Sequence, residues 1–360
     1  MKKLLLGTSA IVAVGLCASE ASAQGYATLG GFFRNYGSVF DHGSTTTNAR
    51  DVQITSNSEF FVRGETKLSN GMIYGFRIEM EAWTQNGSTS AQSIDSVDEV
   101  WGYVKGSFGE IRFGEEDDAR KLKAYSSYIG GGALFFGVDS PDGVYALGTS
   151  TTYFNVENDA QKLIYFSPSF AGFSFAVSYA PDAAHGSRTF GIQGTADCDG
   201  TQSRGCNGEA WSIAADYRGK FGDTTIGVDA GYTGSNNETA GRDNVSAWRA
   251  DAFLQVAGWE ASIQYGKANN VNGNSLDASA IGGAVMYTMG PWSVGGFFQQ
   301  GRADVATGGR NKLNHFLVGA GYALGGGVSL GAALSHQKRD NATGVDPSGT
   351  TFTFGIGANF

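Results

Sequence analysis

Residues 58–81, SEFFVRGETKLSNGMIYGFRIEME, decide the fold. In both halves of this stretch apolar residues alternate with charged ones, as side chains do on the two faces of a β-strand. The first half sets Phe60, Val62, Gly64 and Leu68 against Glu59, Arg63, Glu65 and Lys67, and the second sets Met72, Tyr74, Phe76, Ile78 and Met80 against Arg77, Glu79 and Glu81. Asn70-Gly71 between the halves is a strong hairpin signal. The stretch therefore predicts two antiparallel strands with one apolar and one charged face.

The same alternation recurs along the rest of the chain and predicts about 16 strands. They begin near residues 26, 52, 72, 97, 110, 160, 172, 210, 224, 245, 259, 279, 292, 314, 328 and 351. Each apolar face is about ten residues long, which is the length of a tilted strand that crosses a membrane. An even number of antiparallel strands can close without leaving an edge. The sequence therefore predicts an all-β fold, a transmembrane antiparallel β-barrel in one domain.

Short and long connections alternate strictly between the predicted strands. Turns of a few residues recur at 69–71, 107–109, 168–172, 219–223, 257–258, 289–291 and 325–327. Polar connections of about ten residues or more lie near 41–50, 84–96, 116–158, 182–209, 234–244, 268–278, 303–313 and 339–350. A bacterial membrane barrel has this asymmetry, with tight turns on the periplasmic side and long loops outside. The alternative, a soluble β-sandwich, gives no reason for it.

The N-terminal segment predicts export. Lys2 and Lys3 precede the apolar run 4–18, and Ala21-Ser22-Ala23 offers a cleavage site of small residues. These are the three parts of a secretory signal peptide. The run is shorter than the roughly 20 residues that span a bilayer, which makes a membrane anchor the weaker alternative. We therefore predict a signal peptide at 1–23 and one barrel domain at 24–360.

Charge and motifs exclude several classes of function. The net charge is −9, and no basic patch remains to face phosphates, so a nucleic-acid partner is not expected. None of the 4 histidines stands in a motif that pairs it with a nucleophile, and the sequence has no phosphate-loop or dinucleotide motif. The sequence therefore predicts neither an enzyme nor a cofactor.

Two polar connections carry candidate structural sites. Cys198 and Cys206 stand eight residues apart in an exported loop, which predicts a disulfide, whereas a metal site there would lack nearby histidines. The tetrad Glu115-Glu116-Asp117-Asp118 could hold a structural calcium ion, and a solvated acidic run is the alternative. No other metal site is expected.

Short phrases of sequence carry a family resemblance. They are Gly106-Ser107-Phe108-Gly109, Phe166-Ser167-Pro168, Gly172-Phe173 and the C-terminal Phe360, which ends an alternating aromatic strand. With the signal peptide and the alternating strands, they resemble the Gram-negative general porins, in particular those of alphaproteobacteria. The resemblance implies a homotrimer in the outer membrane, whose water-filled channels pass small hydrophilic solutes and ions by passive diffusion. It also implies contact with outer-membrane lipids and a barrel-assembly machinery that reads Phe360.

In that family the third loop folds into the lumen and narrows the channel. The longest connection, 116–158, follows the fifth predicted strand and matches this loop. The resemblance implies a charged constriction in which acids of the loop face bases of the wall. Its residues are Asp139 and Asp142 on the loop, and Arg34, Arg63, Arg77, Arg112 and Lys162 on the wall. A solvated external loop is the alternative.

The charged residues expected in the channel do not indicate a single ion selectivity. Several glutamates share the wall with the arginines, and the third loop carries Arg120, Lys121 and Lys123. The acidic net charge favours cations. A substrate-specific porin is one alternative function, and a structural or adhesin barrel is another.

Overall fold

The fold comes from a computed structural model, which describes residues 25–43, 50–84, 97–125, 154, 156–157, 159–183 and 207–360. Sixteen strands lie in these residues. They are β1 Tyr26–Asp41, β2 Val52–Lys67, β3 Ile73–Thr84, β4 Val100–Gly106, β5 Gly109–Glu115, β6 Gln161–Phe166, β7 Phe173–Asp182, β8 Asn207–Phe221, β9 Thr224–Asn237, β10 Val245–Val256, β11 Trp259–Asn269, β12 Ala278–Met289, β13 Trp292–Asp304, β14 Arg310–Gly325, β15 Val328–Asp340 and β16 Ser348–Asn359. A short helix, α1 (Ala119–Leu122), lies between β5 and β6, and a 3₁₀ turn spans Val271–Gly273.

Each strand pairs antiparallel with its neighbours in sequence, and β1 pairs with β16 to close the barrel. Backbone hydrogen bonds from Gly31 N to Phe360 O (3.0 Å) and from Phe360 N to Gly31 O (3.1 Å) complete this seam. Closure gives hydrogen-bond partners to the backbone N–H and C=O groups of the edge strands, which lipid cannot provide. The predicted closed antiparallel barrel is confirmed.

The strands have an apolar outer face and a mixed inner face. On β14, Phe316 and Val318 are 51% and 60% exposed, whereas His315 and Leu317 beside them are buried on the inner side. This is the alternation of faces that the sequence predicts. The exposed apolar residues form the surface that meets lipid, and the inner face encloses the lumen.

Aromatic rings form two levels on the outer face. Near the short turns the cross-strand pairs are Phe173–Tyr217, Trp259–Tyr287 and Trp292–Tyr322, with ring centroids 4.6–4.7 Å apart. Near the long connections the pairs are Trp211–Tyr232 and Trp248–Tyr265, with centroids 5.2–5.3 Å apart. Such girdles mark the two interfaces of a membrane. They give the barrel its direction, with the short turns at one interface and the long connections at the other.

The tight turn between β10 and β11 shows how the short connections are made. Ala257 and Gly258 both have positive φ, 49° and 84°. Two residues with positive φ match the right-handed twist of the flanking strands. The turn therefore sits where the sequence predicts it.

The connection predicted at 303–313 is shorter in the structure. β13 reaches Asp304 and β14 begins at Arg310, so the connection is 305–309. Arg310 Nε donates to Asp304 Oδ1 (2.6 Å) across the two strands. Polar cross-strand pairs extend a ladder beyond the apolar band, and the alternation of apolar residues gives no sign of this.

No helix among the described residues is long and apolar enough to cross a membrane. The predicted signal peptide at 1–23, the loop acids Asp139 and Asp142, and the cysteines Cys198 and Cys206 lie outside the described residues. The disulfide therefore stays a prediction.

Candidate pore constriction

Five basic residues of the wall point into the lumen. They are Arg34 on β1, Arg63 on β2, Arg77 on β3, Arg112 on β5 and Lys162 on β6. Their neighbours in sequence Phe33, Phe76, Phe113 and Leu163 are exposed on the outer face, which places the bases on the inner face. The register sets Arg63 directly opposite Arg77. Like charges at such positions repel, so they need compensation.

Glutamates two residues away on the same strands supply that compensation. The pairs are Arg63 Nη2 with Glu65 Oε2, Arg77 Nε with Glu79 Oε2, and Arg112 Nε with Glu110 Oε1, each at 2.6 Å. Residues two apart on a strand share a face, which explains the spacing. Arg112 Nη1 also donates to Glu116 Oε2 at 2.7 Å. Glu116 begins the connection 116–158, the third of the long connections, which is called the third connection below. This part of the wall therefore presents a ladder of ion pairs.

Aromatic rings inside the lumen hold the guanidinium groups against the wall. The distances from guanidinium carbon to ring centroid are 4.0 Å for Arg34 over Phe32, 3.8 Å for Arg77 over Phe61, and 4.2 Å for Arg112 over Trp101. A planar guanidinium stacks favourably on an aromatic face. Sequence reasoning missed these rings. The signal was present, because Phe61 falls on the charged face of its strand.

Arg34 and Lys162 are placed differently from the other three bases. Among the described residues no carboxylate contacts Arg34, so its charge is balanced by no acid of this part of the wall. Lys162 is buried, and its Nζ donates to the backbone oxygen of Glu116. Arg34 therefore offers charge to the lumen, whereas Lys162 ties the third connection to β6.

The lumen is acidic on the side of the long connections. Carboxylate oxygens of Glu99, Asp117 and Asp159 lie within 4.8 Å of one another. Burial, reinforced by neighbouring carboxylates, raises the pKa of Glu99 to about 9. Burial also raises the pKa of Asp117 to about 7. The tetrad 115–118 is buried, so the alternative of a solvated run is wrong, and a calcium ion stays a prediction.

The raised pKa of Glu99 makes the channel sensitive to pH. Glu99 is protonated at neutral pH and gains a negative charge as pH rises through about 9. We expect the cation-to-anion permeability ratio, measured from reversal potentials, to rise between pH 7 and 10. Glu99→Gln is expected to reduce that rise in its upper part, near pH 9, while Asp117 still gains its charge from about pH 7 upward. Glu110→Gln is the control and is expected to keep it. An unchanged pH profile in Glu99→Gln would contradict this assignment.

The third connection begins inside the barrel. Ala119 N donates to Ser178 Oγ (3.2 Å), and Arg120 N donates to Ser212 Oγ (2.9 Å). These serines are buried on the inner faces of β7 and β8. Asp118 caps α1 by accepting from Lys121 N. The described start of the predicted third loop therefore lies against the inner wall.

The side chain of Arg120 joins the two ends of this connection to each other and packs against the wall. Its side chain is buried, and Nη2 donates to the backbone oxygen of Phe154 (2.6 Å) and contacts Asp118 Oδ2 (3.4 Å). Its stem covers Gly231 of β9, where a Cβ atom would lie 2.6 Å from Arg120 Cγ. Only a glycine lets the loop approach β9 so closely.

Two further residues of the connection bind acids of the wall. Lys123 Nζ contacts Asp216 Oδ1 (2.8 Å) and donates to Ser174 Oγ (2.6 Å). The backbone N of Tyr125 donates to Asp229 Oδ2 (2.9 Å), and the Tyr125 hydroxyl donates to Asp216. The basic residues at the start of the loop therefore anchor it. From the sequence alone they were interpreted only as charges in the pore.

Comparisons with known proteins match this barrel along nearly its whole length. The family model for Gram-negative porins matches residues 7–342. Outer membrane porin protein 32 of Delftia acidovorans is 26% identical over 352 residues, which cover 94% of this chain and 81% of that protein. An anion-selective porin from Comamonas acidovorans is 17% identical with a TM-score of 0.65, covering 94% of this chain and 100% of that one. In-vitro folded OmpT of Vibrio cholerae in its trimer form is 16% identical with a TM-score of 0.60, covering 93% and 99%. The chain therefore belongs to the Gram-negative porin family and forms a channel in the outer membrane.

Proposed function

We propose that this channel passes small hydrophilic solutes and ions without a specific binding step, through a constriction made by the third connection and the basic wall. The observation that carries the proposal is the position of α1, whose backbone is bonded to Ser178 and Ser212 on the inner wall. A segment held there narrows the lumen. The paired wall charges keep the passage wet without offering one strong site.

The constriction has a basic and an acidic side. Arg34 supplies uncompensated positive charge, and Arg63, Arg77 and Arg112 supply charge that glutamates partly balance. We retain Asp139 and Asp142 as the loop acids that face them. A transverse field between the two sides orients dipolar solutes during passage.

The protein acts as a channel and not as an enzyme. Among the described residues His315 Nε2 bonds Ser335 Oγ (2.8 Å), but both residues are buried and no carboxylate contacts the ring. A serine nucleophile needs an accessible hydroxyl and a base oriented by a third group. This pair is therefore structural.

The barrel functions as a homotrimer whose contacts include β1 and β2. Their outer faces carry Asn35 and Ser56, joined by a hydrogen bond of 2.9 Å, and the buried Ser58. Polar groups against lipid chains are costly, so this face suits a second copy of the chain. The Vibrio cholerae relative is known in a trimer form. Phe360 remains the proposed signal for the barrel-assembly machinery.

Planar-bilayer recording of the refolded chain 24–360 tests the function. We expect stepwise ion conductance that rises with salt concentration. We also expect neutral polymers to be excluded from the channel above a size limit. Sugars at micromolar concentration are expected to leave the conductance unchanged. Block by such a sugar would establish a substrate-specific porin, and absence of conductance would establish a structural barrel.

A further inference from the structure

Three hairpins of the inner wall have the same order of charge along their length. On β8 and β9, which meet at a short turn, the inner-face bases nearest the turn are Lys220 and Arg218. The Arg218 guanidinium lies 5.6 Å from the centroid of the buried Phe253 ring, inside the barrel. The next inner-face positions hold Asp216 and Asp229, which stand opposite each other. Bases therefore lie towards the short turn, and acids lie further from it.

The hairpin of β2 and β3 repeats this order. Lys67 lies nearest the short turn, and Arg63 follows further along β2, opposite Arg77. Beyond these bases, Glu59 stands opposite Glu81 on the same inner face. The bases are again nearer to the short turn than these acids, which lie towards the long connections.

The hairpin of β4 and β5 differs at its turn, where Lys105 stands opposite Glu110. Glu110 is bound to Arg112 on the same strand, so its charge is compensated. Glu99 and Glu116 lie at the other end, just before β4 and just after β5. They belong to the acidic side of the lumen described above. The end beside the long connections is therefore acidic on this hairpin too.

The short-turn end of the lumen carries a net positive charge. Glu65 is shared by two bases, since its carboxylate lies 2.6 Å from Arg63 Nη2 and 3.6 Å from Lys105 Nζ. The exposed bases without a carboxylate contact in the described part of the chain are Lys67, Arg218 and Lys220. The acids of this end that no described base contacts are fewer, namely Asp223 and Glu260.

Bases at the acidic level are largely bound there. Arg249 is bound to Asp251, and Arg120 contacts Asp118. Arg34 has no carboxylate contact among the described residues, but it is one charge against several acids at this level. The lumen therefore has a basic end and an acidic end in series.

Two regions of opposite charge in series act on both ions of a salt. An acidic region concentrates cations, and a basic region concentrates anions. A voltage that drives cations in from the acidic end and anions in from the basic end fills the lumen with both ions, which raises its conductance. The reverse voltage draws both ions out and lowers the conductance. Fixed charges act over about 10 Å at 0.1 M salt but over about 3 Å at 1 M, so the effect belongs to low salt.

We propose that the channel rectifies, so that it conducts more current when the side of the long connections is positive than when it is negative. In the favoured direction cations move from the long connections towards the short turns, and anions move the opposite way. This axial effect is distinct from the transverse field at the constriction, because it depends on Lys67, Arg218 and Lys220 near the short turns. Because both ions must pass through the lumen, rectification rests on the proposed function.

Single-channel recording of the refolded chain 24–360 in planar bilayers tests rectification. Potassium chloride is equal on both sides, and a pH of about 9 keeps the lysines charged while the carboxylate cluster carries more charge than at pH 7. We expect currents at equal and opposite voltages to differ about twofold or more at about 0.1 M salt. They are expected to become nearly equal at about 1 M, because salt screens the fixed charges.

A peptide tag placed before Gln24 reports the orientation of each channel. β1 begins at Tyr26, which stands opposite Glu65 near the short turn of β2, so the tag lies on the short-turn side. An antibody against the tag, added to one compartment, disturbs the current when the short-turn side faces that compartment. We expect the larger current when the other compartment is positive.

The triple variant Lys67→Glu/Arg218→Glu/Lys220→Glu makes both ends of the lumen acidic. We expect it to bring the ratio of the two currents at low salt close to one. The matched control makes the same change of charge on the outer face of β13 to β15, and it is Arg302→Glu/Lys312→Glu/Lys338→Glu. This control is expected to keep the ratio of the unmodified chain.

Equal currents at both polarities in low salt would overturn rectification, and so would a larger current with the short-turn side positive. A ratio that high salt leaves unchanged, or that the inner-face triple variant keeps, would overturn it as well. If that variant forms no channel, the salt dependence of the unmodified chain decides alone. All these outcomes leave the proposed function intact, because the channel still conducts, whereas absence of conductance in the unmodified chain would overturn both.

Discussion

Arg77→Glu will shift the channel strongly towards cations. The change converts one positive charge of the inner wall into a negative one and leaves Glu79 without its partner. A change of two unit charges about 8 Å from a permeating monovalent ion amounts to about 1 kcal/mol in water, or roughly a fivefold change in the permeability of each ion at low salt, upward for cations and downward for anions. The reversal potential in a salt gradient across a planar bilayer measures it.

Arg310→Glu is the matched control for this prediction. Arg310 undergoes the same change of charge, but it lies at the exposed start of β14, outside the lumen. We expect its reversal potential to stay close to that of the unmodified chain. If both variants shift equally, or if Arg77→Glu does not shift, Arg77 does not face the path of the ions.

Arg120→Met will release the end of the third connection at Phe154 from its start at Asp118. Methionine keeps an apolar stem over Gly231 but loses the bonds to Asp118 and to the Phe154 backbone. Removing one member of a buried ion pair costs about 3–5 kcal/mol, because the remaining buried charge loses its opposite charge. We expect a higher single-channel conductance with larger current fluctuations, recorded in the same bilayers.

Lys121→Met separates this effect from a change of charge. Lys121 is the next residue of α1, and its ion pair with Asp117 is partly exposed. The side chain of Lys121 is 31% exposed, and its loss leaves the bonds of Arg120 to Phe154 and Ser212 in place, so conductance is expected to change little. A rise in conductance of the same size in Lys121→Met would mean that charge, and not anchoring, governs the width of the channel.

The barrel could be predicted from the sequence because its strands have a lipid-facing side. Every lipid-facing position must be apolar, so the alternation of residues reports the strands directly. The predicted beginnings at 26, 52, 224, 245, 259, 292 and 328 coincide with those of the structure. β14 begins earlier than predicted, at Arg310, because its first residues pair above the apolar band.

The constriction could be predicted only in part, because residues on the inner face do not have to be apolar. Their types therefore do not report their positions. Alternation places Arg63 and Arg77 inside the barrel, but it does not show which glutamate each binds. It also does not show that Arg120 is buried, since this depends on the space above Gly231, a residue more than one hundred positions away. Interactions between a loop and a distant strand leave no periodic signal in the sequence.

The seam between β1 and β16 has a consequence for how the protein is made. Every other pair of strands joins neighbours in sequence, and such hairpins can form locally and early. The seam joins residues more than 300 positions apart, so it forms last and carries the largest loss of chain entropy. Until then β1 and β16 are two open edges that any other strand could join. The barrel is therefore most vulnerable to aggregation just before it closes, and a helper that shields these two edges would protect it at that stage.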